Sequence, residues 1–182
     1  MLSFKQYLLE TLETYPGNYV SIKTENVANT FSRLGFDEPN SGTAPPNGDY
    51  HCTIMYSTDS KVCPKYIIKS INSSKFPRSY VANISGIDCF DSLPEDGVRS
   101  EAKSCIVLKI ECPGIIILHD FMKSFGLQHS YAEFSPHITL RYNMDVDEAH
   151  LYKNAMNVRM KNKPHQILLD NIYSETINTD YV

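Results

Sequence analysis

Residues 51–56 read HCTIMY and residues 137–142 read HITLRY, so one short strand is written twice, 86 residues apart. Each copy carries His, Thr and Tyr at its first, third and sixth positions, with mostly apolar residues between them. The elements around the two copies repeat as well. NYVSIK, at 18–23, alternates and is β-branched, and KSCIVLKIE, at 103–111, has a nearly continuous apolar middle, so both read as strands. They begin about 33 residues before His51 and about 34 before His137. Each half then runs strand, helix, HxT strand, helix, strand. Such a duplication leaves few folds open. It predicts an α+β protein of two lobes, with antiparallel-rich sheets lining a central cleft and helices on their outer faces.

Local signals place the remaining elements. Ser3 caps a predicted helix over 3–13, with Phe4, Leu8 and Leu12 on one stripe, and Pro16-Gly17 stops it. A helix is expected between Thr24, a capping residue, and Gly35, a terminating one. Residues 37–49 are turn-rich and read as a loop. A helix from Pro64, a long strand over 79–90 interrupted by Gly86, and a polar loop complete the first half. In the second half, helices are expected over 114–126 and 145–157, the latter with acidic residues at its start, and a last strand over 164–175. The whole of 1–182 reads as a single domain, with lobes at roughly 14–92 and 102–175.

Composition narrows the function. Hydrophobic residues make up 42% of the chain and charged residues 21%, an ordinary globular balance. The net charge of −4 argues against a coat for long nucleic acid, which needs a broad basic face, but allows a pocket for one small anion. No apolar run approaches a membrane span, and the N-terminus mixes Lys, Gln and Glu into its apolar pattern, unlike a secretory signal. Five cysteines (52, 63, 89, 105 and 112) contain no CxxC pair, which fits a reducing cytoplasm without disulfides or zinc. Cys52 stands beside His51, yet alternation turns it to the opposite face, as a small core residue.

On a strand, residues i and i+2 share a face, so His51 pairs with Thr53 and His137 with Thr139. An imidazole titrates near neutrality, so one histidine can take a proton while the other gives one. A threonine hydroxyl two residues on can hold a phosphoryl oxygen. Two such pairs across a cleft would clamp one phosphorus without a cofactor. Strict alternation puts Tyr56 and Tyr142 on the opposite face, as packing residues, and puts Met55 and Arg141 on the cleft face, where Arg141 could neutralise phosphate charge. His119, His129, His150 and His165 lack the motif and read as structural or surface residues. No carboxylate lies at ligand spacing from His51 or His137, so no metal is expected.

The paired HCTIMY and HITLRY resemble the signature motifs of the two-histidine (2H) phosphoesterase superfamily, written once per lobe. With NYVSIK, DYHCTIMYS, YAEFSPHITLRYN and the tail YSETINTDY, the chain is more closely similar to the phage anti-CBASS phosphodiesterases. That resemblance implies a 2H-phosphoesterase-like fold and metal-independent cleavage of the cyclic di- and trinucleotide messengers of bacterial CBASS immunity, in the cytoplasm of the infected host. It implies that Tyr19, Glu175 and Tyr181 hold the nucleotide, with Tyr181 standing where Trp is common in the family. The expected partner is the cyclic nucleotide, with no long nucleic acid and no membrane, and a monomer is favoured. Two alternatives stand beside it. One is an enzyme of RNA ends acting on 2′,3′-cyclic or 2′,5′ phosphodiesters. The other is a module that sequesters the messenger without cleaving it, against which the two complete HxT motifs argue.

Overall fold

The computed structural model describes residues 17–24, 27, 30–58, 62–92, 102–131, 133–161 and 165–177. The expected helix over 3–13 and Tyr181 lie outside them. Among these residues six strands, β1 (Asn18–Lys23), β2 (His51–Ser57), β3 (Ser79–Ser92), β4 (Lys103–Glu111), β5 (His137–Asp145) and β6 (Gln166–Thr176), are interspersed with helices α1 (Thr30–Arg33), α2 (Pro64–Ser73), α3 (Pro113–Lys123) and α4 (Val146–Met160). The α+β class expected from the alternating pattern is observed. Pro64 and Pro113 open α2 and α3 at positions where a missing N–H costs nothing. Asp145 caps α4 by accepting from the Glu148 amide.

All strand pairings are antiparallel, and they close a ring in the order β1-β2-β5-β4-β3-β6. Exchanging β1 with β4, β2 with β5 and β3 with β6 maps this set of pairings onto itself. The ring therefore carries the two-fold order of the duplicated sequence. The last strand of each half, however, crosses over. β3 pairs along its length with β4, and β6 with β1. Each three-stranded unit thus mixes the halves, and the segments 14–92 and 102–175 are not the two sides of the sheet.

Helices α2, α3 and α4 pack on the strands from outside. Alternate strand residues meet them, and Ile22, Ile54, Ile106, Leu108, Ile138 and Leu140 are wholly buried there with Ile115, Leu118 and Met122 of α3. Each such side chain contributes about 1.5–3 kcal/mol relative to exposure. The opposite faces of the strands are polar and aromatic, and they look inward. The β2–β5 seam rests on one residue pair, Cys52 with Ile138. The β3–β6 seam has five.

Candidate active site

The sparse seam is where the two HxT segments meet. His51 and His137 open the neighbouring strands β2 and β5, and a charge on His51 acts on His137. Both rings are oriented by the same local device. His51 Nδ1 lies 3.0 Å from the carbonyl oxygen of Asp49, and His137 Nδ1 lies 2.7 Å from that of Ser135. A carbonyl only accepts, so Nδ1 carries the proton in each ring. In each neutral histidine Nε2 then carries the lone pair and can accept a proton.

Burial holds His137 below the ordinary histidine value of 6.5. The bond to Ser135 opposes that shift and the charge of His51 adds to it. The neutral form of His137 is favoured, and a positive charge on His51 would favour it further.

Tyr19 closes the first pair. Its hydroxyl hydrogen-bonds Nε2 of His51 and lies 3.0 Å from Oγ1 of Thr53. With Nδ1 holding the ring proton, the phenol donates to His51 and Thr53 donates to the phenol oxygen. Burial raises the Tyr19 pKa, which keeps that hydroxyl protonated. Its ring stands edge-on to His51, Tyr56 and Tyr173. The Tyr19 hydroxyl thus joins His51 to Thr53, a contact separate from the grip on the nucleotide that the family resemblance implies. Glu175 is the direct cross-strand partner of Tyr19 and is exposed. Tyr173, two residues earlier and so on the same face, has its ring 6.3 Å from that of His51. Spacing from Glu175 could have singled out Tyr173 in the sequence.

Both HxT strands bulge at the same motif position, and this corrects the expected alternation. Val20 pairs with Met55 but Ser21 with Thr53, so Ile54 is extra. Ile106 pairs with Arg141 but Val107 with Thr139, so Leu140 is extra. A bulge resets the alternation beyond it. Tyr56 and Tyr142 therefore face the site instead of packing on the opposite side. Tyr56 pairs with Tyr19, and the Tyr142 hydroxyl stands beside Thr139. Met55, expected in the cleft, is wholly buried in the core. Arg141 is turned to the 37–49 loop, where its guanidinium donates to the carbonyls of Pro39 and Ser41 and lies 3.6 Å from Glu38. Those partners make it an anchor for the loop.

Each half also holds the other's tyrosine. Thr43, from the loop of the first half, exchanges two backbone hydrogen bonds with Tyr142, at 2.9 and 2.8 Å. Beside it, a Cβ on Gly42 would lie 2.6 Å from the Tyr142 carbonyl oxygen, so a larger residue would push the loop away. In the second half, the Ser130 amide donates to the Tyr56 carbonyl at 2.8 Å. The Tyr56 amide in return donates to Nδ1 of His129 at 3.2 Å, so an imidazole stands in for a backbone carbonyl. The His129 ring meets those of His119, Tyr131 and Phe134 edge-on. His119 is buried, and desolvation lowers its pKa to about 4. Nothing in the sequence around His129 marks this contact.

Cys52 is wholly buried on the helix-facing side, and desolvation pushes its thiol up to about 12, as expected of a core residue. Among the described residues, no group of three or more His, Cys, Asp or Glu could hold a metal ion, and no helix is long and apolar enough to cross a membrane.

With this geometry in hand, two comparisons with known proteins bear on the site. A family model described as "Anti-CBASS protein Acb1" matches residues 16–182. That span includes both HxT strands and the strands that carry Tyr19 and Glu175. The protein described as "Anti-CBASS protein Acb1" from Vibrio phage KVP40 is 29% identical over 94 residues, which cover 52% of this chain and 51% of that protein. The chain thus spans about half the length of the curated relative it matches.

Proposed function

The chain belongs to the anti-CBASS Acb1 family, and from that premise we propose that it is a phosphodiesterase of the two-histidine type that opens cyclic di- and trinucleotide messengers of bacterial CBASS immunity. The observation that carries this reading is the matched pair of imidazoles, each with Nδ1–H tied to the carbonyl two residues upstream. A protein that merely bound an anion would have no use for two oriented Nε2 atoms on one inward-facing surface.

In the proposed reaction, neutral His137 takes the proton from the attacking oxygen, a water or the ribose 2′-hydroxyl. Protonated His51 gives its Nε2 proton to the leaving 5′-oxygen as the P–O bond breaks. Attack by water leaves a linear phosphate end, and attack by the 2′-hydroxyl leaves a 2′,3′-cyclic one. Burial of His137 supports its assignment as base. Thr53 and Thr139 hold the phosphoryl oxygens, and the Tyr19 hydroxyl steadies His51 and can follow its change of protonation. Glu175 is positioned to read an N–H edge of a base, and Tyr173 and Tyr56 add aromatic surface worth about 1–3 kcal/mol per stacked base. Proton transfer and orientation are covered by the protein's own side chains, so turnover is expected to persist in excess chelator.

The test is a substrate panel with product analysis, run with and without EDTA. It sets cyclic di- and trinucleotides beside 2′,5′-oligoadenylate and RNA ending in a 2′,3′-cyclic phosphate. Turnover of the cyclic messengers, reduced roughly 10²–10⁴-fold in His51→Ala and in His137→Ala, is expected. Turnover of the RNA ends alone would replace the substrate and keep the chemistry. Recovery of intact messenger from the wild-type protein would reduce it to a sponge.

A further inference from the structure

The strand register gives each histidine of the pair a lysine partner. Lys23 is the cross-strand partner of His51, and Lys109 is the cross-strand partner of His137. Directly paired residues share a face, with their Cβ atoms about 4.5–5.5 Å apart. Both lysines are therefore on the inward side with the histidines, at positions equivalent under the exchange of β1 with β4. Each also lines a pocket whose walls include the residue that holds its histidine through a carbonyl, Asp49 for His51 and Ser135 for His137. The pocket beside His51, about 440 Å³, includes Asp49. The pocket beside His137, about 820 Å³, includes Ser135.

The two pockets differ in charge. Beside His51, Lys23 faces Asp49 and Asp170, one cation against two anions, and Asp49 holds its ammonium at 2.9 Å. Beside His137, Lys109, Lys153 and Lys161 face Asp88 and Glu111, three cations against two anions. Asp88 is shared there, at 2.6 Å from Lys153 and 3.7 Å from Lys109. One carboxylate cannot neutralise two ammonium groups. The Lys109–Asp88 contact is long and part-exposed, of the kind that contributes little and exchanges readily for a better anion.

A cyclic di- or trinucleotide carries one phosphodiester for each nucleotide. When one of them lies between His51 and His137, at least one further anionic phosphate must lie elsewhere on the ring. We infer that the pocket beside His137 is the subsite for that second phosphate, with Lys109 and Lys153 as its cationic partners and Lys161 at its margin. The pocket beside His51, net negative, is left to uncharged parts of the ligand. This inference rests on the cyclic-nucleotide reading above and adds a direction to it, because the ring would enter with its uncleaved phosphate toward β4 and α4.

The experiment separates binding from cleavage. In a His51→Ala background, the Kd of a cyclic dinucleotide is measured by calorimetry beside that of a linear dinucleoside monophosphate, which has a single phosphodiester. Adding Lys109→Gln should raise the Kd of the cyclic ligand about tenfold, the loss of one charge contact of roughly 1.4 kcal/mol, and leave that of the linear ligand unchanged. Lys109→Arg should restore the tight value, and Lys153→Gln should reproduce the loss should Lys109→Gln fold poorly. An unchanged Kd for the cyclic ligand, or an equal rise for both ligands, would overturn the subsite. Failure of the phosphodiesterase reading shows elsewhere, as absent turnover in the chain with both histidines, and leaves these affinities measurable.

Discussion

At the scale of single residues, Tyr19 and His137 carry the chemistry that most needs testing. If Tyr19 worked by presenting a ring, phenylalanine would replace it. Its hydroxyl, however, is hydrogen-bonded to both His51 and Thr53. Tyr19→Phe should therefore lower kcat by about tenfold or more, the scale of losing a hydrogen bond to a charged partner, and steady-state kinetics on the cyclic dinucleotide check it. His137 sets the pH dependence. In the proposed reaction its neutral form is the base, and its pKa is depressed, so activity should be present above that lowered value and lost as pH falls through it. The acidic limb of kcat/KM should have its midpoint below 6.5. In His51→Ala, the His137 ring should titrate higher by NMR, because a repelling charge is gone, and stay below 6.5, because burial, the larger cause, remains. That His51 shares a strand face with Thr53, and His137 with Thr139, is legible in the sequence, since i, i+2 sidedness is a property of one strand. The Tyr19 hydroxyl bonds are not, because they join β1 to β2.

At the scale of elements, the two bulges and the two cross-half clamps decide which side chains reach the site. Tyr occupies the sixth position of both HxT segments, which marked it as part of the motif, yet strict alternation sent it to the wrong face. The extra residues Ile54 and Leu140 turn it back. Asn143, at the foot of a second β5 irregularity, and Asn171, extra in β6, both adopt φ of 54°, a left-handed conformation that asparagine tolerates better than most residues. His129 acts between elements, accepting from the Tyr56 amide on β2. His129→Ala should leave that amide without its acceptor, at about 1 kcal/mol, or roughly 2–4 °C in Tm for a chain of this length. His129→Asn, which offers a carbonyl oxygen near the place of Nδ1, should recover most of the loss. Thermal melts and kcat of the three proteins test the clamp together. Equal losses in the Ala and Asn variants would assign His129 to packing alone.

At the scale of the whole molecule, a closed ring joins its two HxT strands through a single residue pair, Cys52 with Ile138, opposite a seam of five. The weak seam is the one beneath the candidate active site, where strand separation would change the distance between His51 and His137. Backbone amides of β2 and β5 that face each other should exchange hydrogen faster than those joining β3 to β4, and a bound cyclic nucleotide should slow them. Hydrogen exchange read by NMR, with and without ligand on the His51→Ala protein, checks both statements. The α+β element order, the repeat, the inert Cys52 and the shared face of each His–Thr pair can be read from the chain alone. Those follow from periodicity, turn residues and sidedness, which act over a few neighbouring residues. The crossing of β3 and β6 between the halves, the inward turn of Tyr56 and Tyr142, the contacts of Arg141 with the 37–49 loop, and the places of Lys23 and Lys109 beside the histidines emerge only when the strands assemble. Each of these depends on register between strands far apart in the chain, and register is set by the packing of the whole ring.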